Sequence, residues 1–120
     1  MRYGDLKGRT RKFALDIIRL VEALPSDRTC KILGGQLLDA GTSVGANYRA
    51  ACRAKSTADF ISKMGTVEEE ADECGYWLEL LIAAEKLKEP AATSLVREAD
   101  ELTAIAVSSI NTARKSGGRA

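Results

Sequence analysis

Between positions 60 and 81 the residues Phe60, Met64, Val67, Ala71, Cys74, Leu78 and Leu81 recur at alternating steps of four and three. That spacing draws one apolar stripe down a helix, where a half-buried strand would alternate by two. A long helix with a single apolar stripe must bury it against other elements. The rest of the chain supplies three such elements, each with its own three- and four-residue periodicity. Phe13, Ile17, Leu20, Val21 and Leu24 mark the first segment, from about Leu6 to Leu24. Leu33, Leu37, Ala40, Val44, Asn47 and Ala51 mark the second, from Asp27 or Arg28 to Arg53. Leu95, Ala99, Leu102, Ala106, Ile110 and Ala113 mark the fourth.

The boundaries carry their own chemistry. Pro25 closes the first segment, because the residue before a proline is pushed out of helical geometry. Ser56 followed by Asp59 is a capping box that opens the third segment, which runs to about Leu87. Pro90 suits the first turn of the fourth. Connections of a few residues make neighbouring helices antiparallel. The expected fold is therefore all-α, an up-down-up-down antiparallel four-helix bundle. Residues 1–115 form its single domain, and 116–120 form a frayed tail.

Chemistry is sparse on this frame. The chain has no histidine, the commonest general base and metal ligand. Its three cysteines, Cys30, Cys52 and Cys74, sit in helical stripes as small core residues, with no CxxC pair. Serines and thiols thus lack a partner base, and no catalytic residue, cofactor or metal site is expected. Residues 68–73 hold Glu68, Glu69, Glu70, Asp72 and Glu73. This acidic run reads as a solvated face, a salt-bridge partner or a weak cation site; Arg49, Arg53 and Lys63 are the bridge partners across the second connection, with Arg49 or Arg53 expected to pair with it on the adjacent helix or on a neighbouring subunit. The N-terminal stretch lacks the apolar core of a signal peptide, and the LLIAA run at 80–84 is too short to span a bilayer. A cytoplasmic protein with no membrane role is expected.

Glycine is costly inside helices, at ~1 kcal/mol against alanine. Yet Gly34, Gly41 and Gly45 share one stripe of the second segment, with Cys52 at its end. Such a groove seats a closely approaching helix, either the neighbour in the same chain or a second subunit. A phosphate loop is excluded, since no GxxxxGK[ST] is present. Gly34, Gly41, Gly45, Tyr48 and Trp77 are the interface candidates. Asn47, on the apolar seam, is expected to hydrogen-bond across the bundle.

Net charge is +1, with 18 basic against 17 acidic residues, but the basic ones are not evenly spread. Residues 1–13 hold Arg2, Lys7, Arg9, Arg11 and Lys12 against Asp5 alone. In an up-down bundle the first helix starts where the second ends, the third starts and the fourth ends. Arg9, Arg11, Lys12, Arg49, Arg53, Lys55, Arg114 and Lys115, with Arg119, therefore gather at one pole. That pole suits the phosphates of RNA or DNA without base specificity.

Two stretches resemble a known family. QLLDAGTSVGANYRAACRAK at 36–55, followed by STADF, and VEEEADECGYWLELL at 67–81 are similar to bacterial four-helix bundle proteins related to the 23S ribosomal RNA intervening-sequence proteins. The likeness runs from about Phe13 to Ala113. Where many members carry Glu-Gly, this chain has Tyr48-Arg49-Ala50-Ala51. The resemblance implies a small non-enzymatic homo-oligomer, pentameric in several members, with a nucleic-acid-binding branch. The alternative expectation is a protein–protein interaction or assembly module with no nucleic-acid role.

Overall fold

The computed structural model describes residues 5–88 and 90–117. Four helices account for nearly all of them: α1 (Leu6–Glu22), α2 (Arg28–Cys52), α3 (Thr57–Ala83) and α4 (Ala91–Gly117). No strand occurs among the described residues. Consecutive helices pack side by side, and α4 returns to meet α1 along a much sparser seam. The result is the up-down bundle, a rod of 53 × 23 × 21 Å.

The core follows the apolar stripes. Met64, Val67, Ala71, Cys74, Leu78 and Leu81 of α3 are buried, and Phe60 packs half-buried at their head. Facing them are Phe13 and Ile17 of α1, Leu37, Ala40 and Val44 of α2, and Ala99, Leu102 and Ala106 of α4. Thr10 is the one buried polar side chain among the described residues, and its hydroxyl donates to the carbonyls of Leu6 and Lys7.

Side chains fix the helix starts. Asp27 caps α2 by accepting from the Cys30 amide at 2.8 Å. Ser56 caps α3 by accepting from the Asp59 amide at 3.0 Å. Asp59 reaches one residue further back than a capping box requires, to the Lys55 amide at 3.2 Å. Pro90 stands just outside α4, its carbonyl accepting from Ser94.

The helix ends differ from the sequence-based expectation. α1 stops at Glu22, because the Ala23 and Leu24 amides tighten onto Leu20 and Val21 three residues back. α3 stops at Ala83, four residues before Leu87. There the Lys86 amide bonds the Leu81 carbonyl and the Glu85 amide bonds that of Ile82, the pair of bonds of a Schellman turn. Glu85 holds the left-handed position at φ 61°, where glycine is usual. Ser116 and Gly117 continue α4 instead of fraying; the remainder of the expected tail, with Arg119, lies outside the described residues, as does Arg2.

Candidate functional site

The glycine stripe decides how α1 meets α2. A β-carbon on Gly41 would stand 2.8 Å from Cγ2 of Ile17, one on Gly45 3.3 Å from the Thr10 hydroxyl, and one on Gly34 3.0 Å from Leu24. All three glycines face α1. Of the two occupants open to the sequence, the neighbouring helix holds the groove, not a second subunit. Cys52, at the end of the stripe, is exposed and not a core residue, unlike buried Cys30 and Cys74. Burial pushes the Cys74 thiol up to about 12.

Close approach of α1 to α2 brings four cations to one groove. Lys7 and Arg11 form one wall, Arg49 and Arg53 the other, over a floor of Thr10, Ala14, Gly45 and Ala46. The groove has a volume of about 450 Å³, and none of its lining residues among those described is acidic. None of the four cations is in an ion pair among the described residues. Tyr48 lies half-buried beside them; burial, and then its contact with Cys52, push its phenol up to about 12.

Local stability does not explain this arrangement. Like charges at i and i+4 repel by a few tenths of a kcal/mol, and each wall carries such a pair. Arg49 in the last turn of α2 does gain from the helix dipole. Lys7 in the first turn of α1 loses by the same effect, which favours anions there.

The other cations of the expected basic pole disperse. Arg9 turns to the opposite flank of α1, where its Nη2 and Nε hold Glu98 at 2.7 and 3.0 Å and Nη2 also reaches Glu101 at 3.0 Å. Those partners, Glu98 first, raise the guanidinium pKa further still. Lys12 pairs with Asp16 one turn along at 2.7 Å. Lys55 sits in the α2–α3 connection, in a second hollow with Phe60 and Ala113. Arg114 lines a groove between α3 and α4 together with Glu68 and Glu69. Lys115 is exposed in the last turn of α4. Of the sequence-derived set, the groove gathers Arg11, Arg49 and Arg53. It adds Lys7, which the 7/11 and 49/53 spacings would have revealed as a matched pair of i,i+4 walls.

Within the chain, and among the described residues, the acidic run is not bridged by Arg49 or Arg53, which line the α1 side of α2. Lys63 instead pairs with Asp59 at 2.8 Å. Burial, then Glu73, Glu69 and Asp39, raise the Glu70 carboxyl. No group of three or more acidic or thiol side chains among the described residues is placed to hold a metal ion. Asn47 donates to the Ser43 carbonyl of its own helix at 2.8 Å and not across the bundle, because its half-exposed position leaves that carbonyl nearest. Trp77 is half-buried, donates to Glu73 at 3.3 Å and meets Tyr76 edge-on at 5.0 Å. Tyr76 and Ile32 are each more than half exposed. No helix of the described residues is long and apolar enough to cross a membrane.

The comparisons agree with this architecture. A solved structure from Bacteroides thetaiotaomicron VPI-5482, a protein of unknown function from the S23 ribosomal protein family, is 36% identical. The match covers 87% of this chain and 96% of that one, with a TM-score of 0.81. No curated protein matches the sequence. The family model for the 23S rRNA-intervening sequence protein matches residues 5–108, so the chain belongs to that family.

Proposed function

We propose that this protein is a non-enzymatic homo-oligomer that holds RNA or DNA by its phosphates, in the groove between α1 and α2. One observation carries the reading: Lys7, Arg11, Arg49 and Arg53 line a single groove that contains no carboxylate among the described residues. Four unneutralised cations along two antiparallel helices suit a polyanion, whose condensed counterions are released on binding. Nothing in the groove offers a stacking platform beyond Tyr48, so recognition is of backbone, not bases. The family name directs the first trial to structured RNA.

Fluorescence anisotropy with structured RNA and duplex DNA, across a salt series, tests it. The logarithm of affinity should fall linearly with that of salt, with a slope of about 0.9 per neutralised phosphate on duplex DNA. The double replacement of Arg49 and Arg53 by Ala should flatten that slope by close to two contacts. Absent or salt-insensitive binding by folded protein would overturn the proposal.

A second reading, an assembly module with a protein partner, rests on the exposed Tyr76 and Ile32. Light scattering on the same samples gives the subunit number, pentameric by the resemblance. A Tyr76→Glu variant whose mass falls while RNA binding persists would assign that face to assembly.

A further inference from the structure

Away from the cationic groove, α1 ends at Glu22, and Lys86, Leu87 and Lys88, which follow α3, lie near that end. Between the end of α1 and the start of α4 lies a cavity of about 720 Å³. That volume falls in the range of small-molecule sites, roughly 300–1,000 Å³. Its walls include Leu20, Leu87 and Leu95, and it stays open where Ala23 and Ala92 stand in place of larger side chains.

Charge at this cavity can be counted. Arg19, Lys86 and Lys88 line it with a single acid, Asp16. Arg19 lies 3.5 Å from Asp16, and Lys86 lies 3.0 Å from Asp27, the cap of α2. Lys88 has no ion-pair partner among the described residues. Asp16 also holds Lys12, at 2.7 Å, so among the described residues Lys88 is the lining cation that stands beside the apolar walls with no acidic partner. The geometry points to a binding site for an apolar monocarboxylate, a medium-chain fatty acid, with its alkyl chain against Leu20, Leu87 and Leu95 and its carboxylate at Lys88. A dianionic head group would meet Asp16, and a cationic one would meet Lys88. The site shares no residue with the α1–α2 groove and does not depend on the reading given to that groove.

The test is a ¹⁵N–¹H NMR titration of the full chain with decanoate below its micelle concentration, with decanol and decyltrimethylammonium in parallel. Saturable one-to-one binding is expected, with shifts confined to the residues around the cavity. Decanoate should bind about threefold to fivefold more tightly than decanol, the worth of one partly exposed ion pair. Lys88→Glu should erase that preference while leaving decanol binding and RNA binding unchanged. Ala23→Trp, at an exposed rim position, should weaken both ligands by about tenfold through steric exclusion, with an unchanged circular dichroism spectrum. Shifts scattered over the surface, no saturation, or equal affinity for decanoate and decanol would overturn the assignment.

Discussion

Helix α1 is held on its two flanks by opposite means. Toward α2, three glycines remove side chains so that Ile17, Thr10 and Leu24 press against helix backbone. Toward α4, the seam is sparse and cavities line it; the cross-links there are charged, Arg9 to Glu98 and Glu101. One flank fixes α1 by shape and the other by charge. Shape is short-ranged and insensitive to salt, whereas a half-exposed ion pair tolerates displacement and is screened. The two candidate sites divide in the same way. Tight packing assembles the cationic groove, and the loose flank leaves the apolar cavity.

The largest effect is expected where shape is violated. Gly41→Ala brings a methyl group to 2.8 Å from Cγ2 and 3.1 Å from Cβ of Ile17, a branched side chain with little rotamer freedom. Helix propensity alone would favour alanine by ~1 kcal/mol. Overpacking costs about 1–3 kcal/mol, and more for a larger residue, so sterics prevail. Urea unfolding should show Gly41→Ala less stable by about 1–2 kcal/mol, and Gly41→Leu unable to seat α1. In the Ile17→Ala background the Gly41→Ala penalty should vanish, a coupling that only direct contact produces. A Gly41→Ala variant that gains stability would mean that α1 does not rest on the stripe.

Gly35 sharpens the comparison from the neighbouring face of the same helix. It is exposed, and a β-carbon there meets nothing within 4 Å. Gly35→Ala should therefore raise stability by up to ~1 kcal/mol, the opposite sign from Gly41→Ala. The same denaturation series reads both. Equal signs would show that backbone propensity governs α2 and that the contact with α1 does not.

The contrast between Gly35 and Gly41 also marks how far the sequence could be read. The heptad stripe of α3 and the cap at Ser56 were legible, because each rests on local spacing and local hydrogen bonds. That the glycine stripe seats a helix was legible too. Which helix was not, since small residues serve a neighbour in the same chain and a second subunit alike. The C-terminus of α3 was misjudged because Glu85 fills a left-handed position that glycine normally announces. Topology suggested one cationic pole, but only Arg11, Arg49 and Arg53 of the expected set share the groove, while Arg9 pairs with Glu98 well along α4 from Arg114 and Lys115. The division of the cations between flanks depends on rotation about each helix axis, which is why Arg9 parted from Arg11 and Lys7 joined it.

Arg9 gives the smallest effect and the cleanest discriminator. Its guanidinium makes a two-pronged contact with Glu98, with the two side chains about a quarter exposed, while Glu101 is mostly in solvent. Such a pair contributes on the order of 0.5–1 kcal/mol. Arg9→Met keeps the apolar stem over the core and removes the charge, so its penalty isolates the ion pair. The loss measured by urea unfolding should not exceed ~1 kcal/mol at low salt, and it should shrink as added sodium chloride screens the pair. The Gly41→Ala loss should stay constant across the same series, since no charge is involved. RNA binding separates the flanks once more. Arg9 is committed to α4 and faces away from the groove, so Arg9→Met should leave affinity and salt slope as they are, while Arg53→Ala lowers both. An Arg9→Met loss as large as that of Arg53→Ala would mean that the nucleic acid spans both flanks of α1, and that the whole pole, not the groove, is the binding surface.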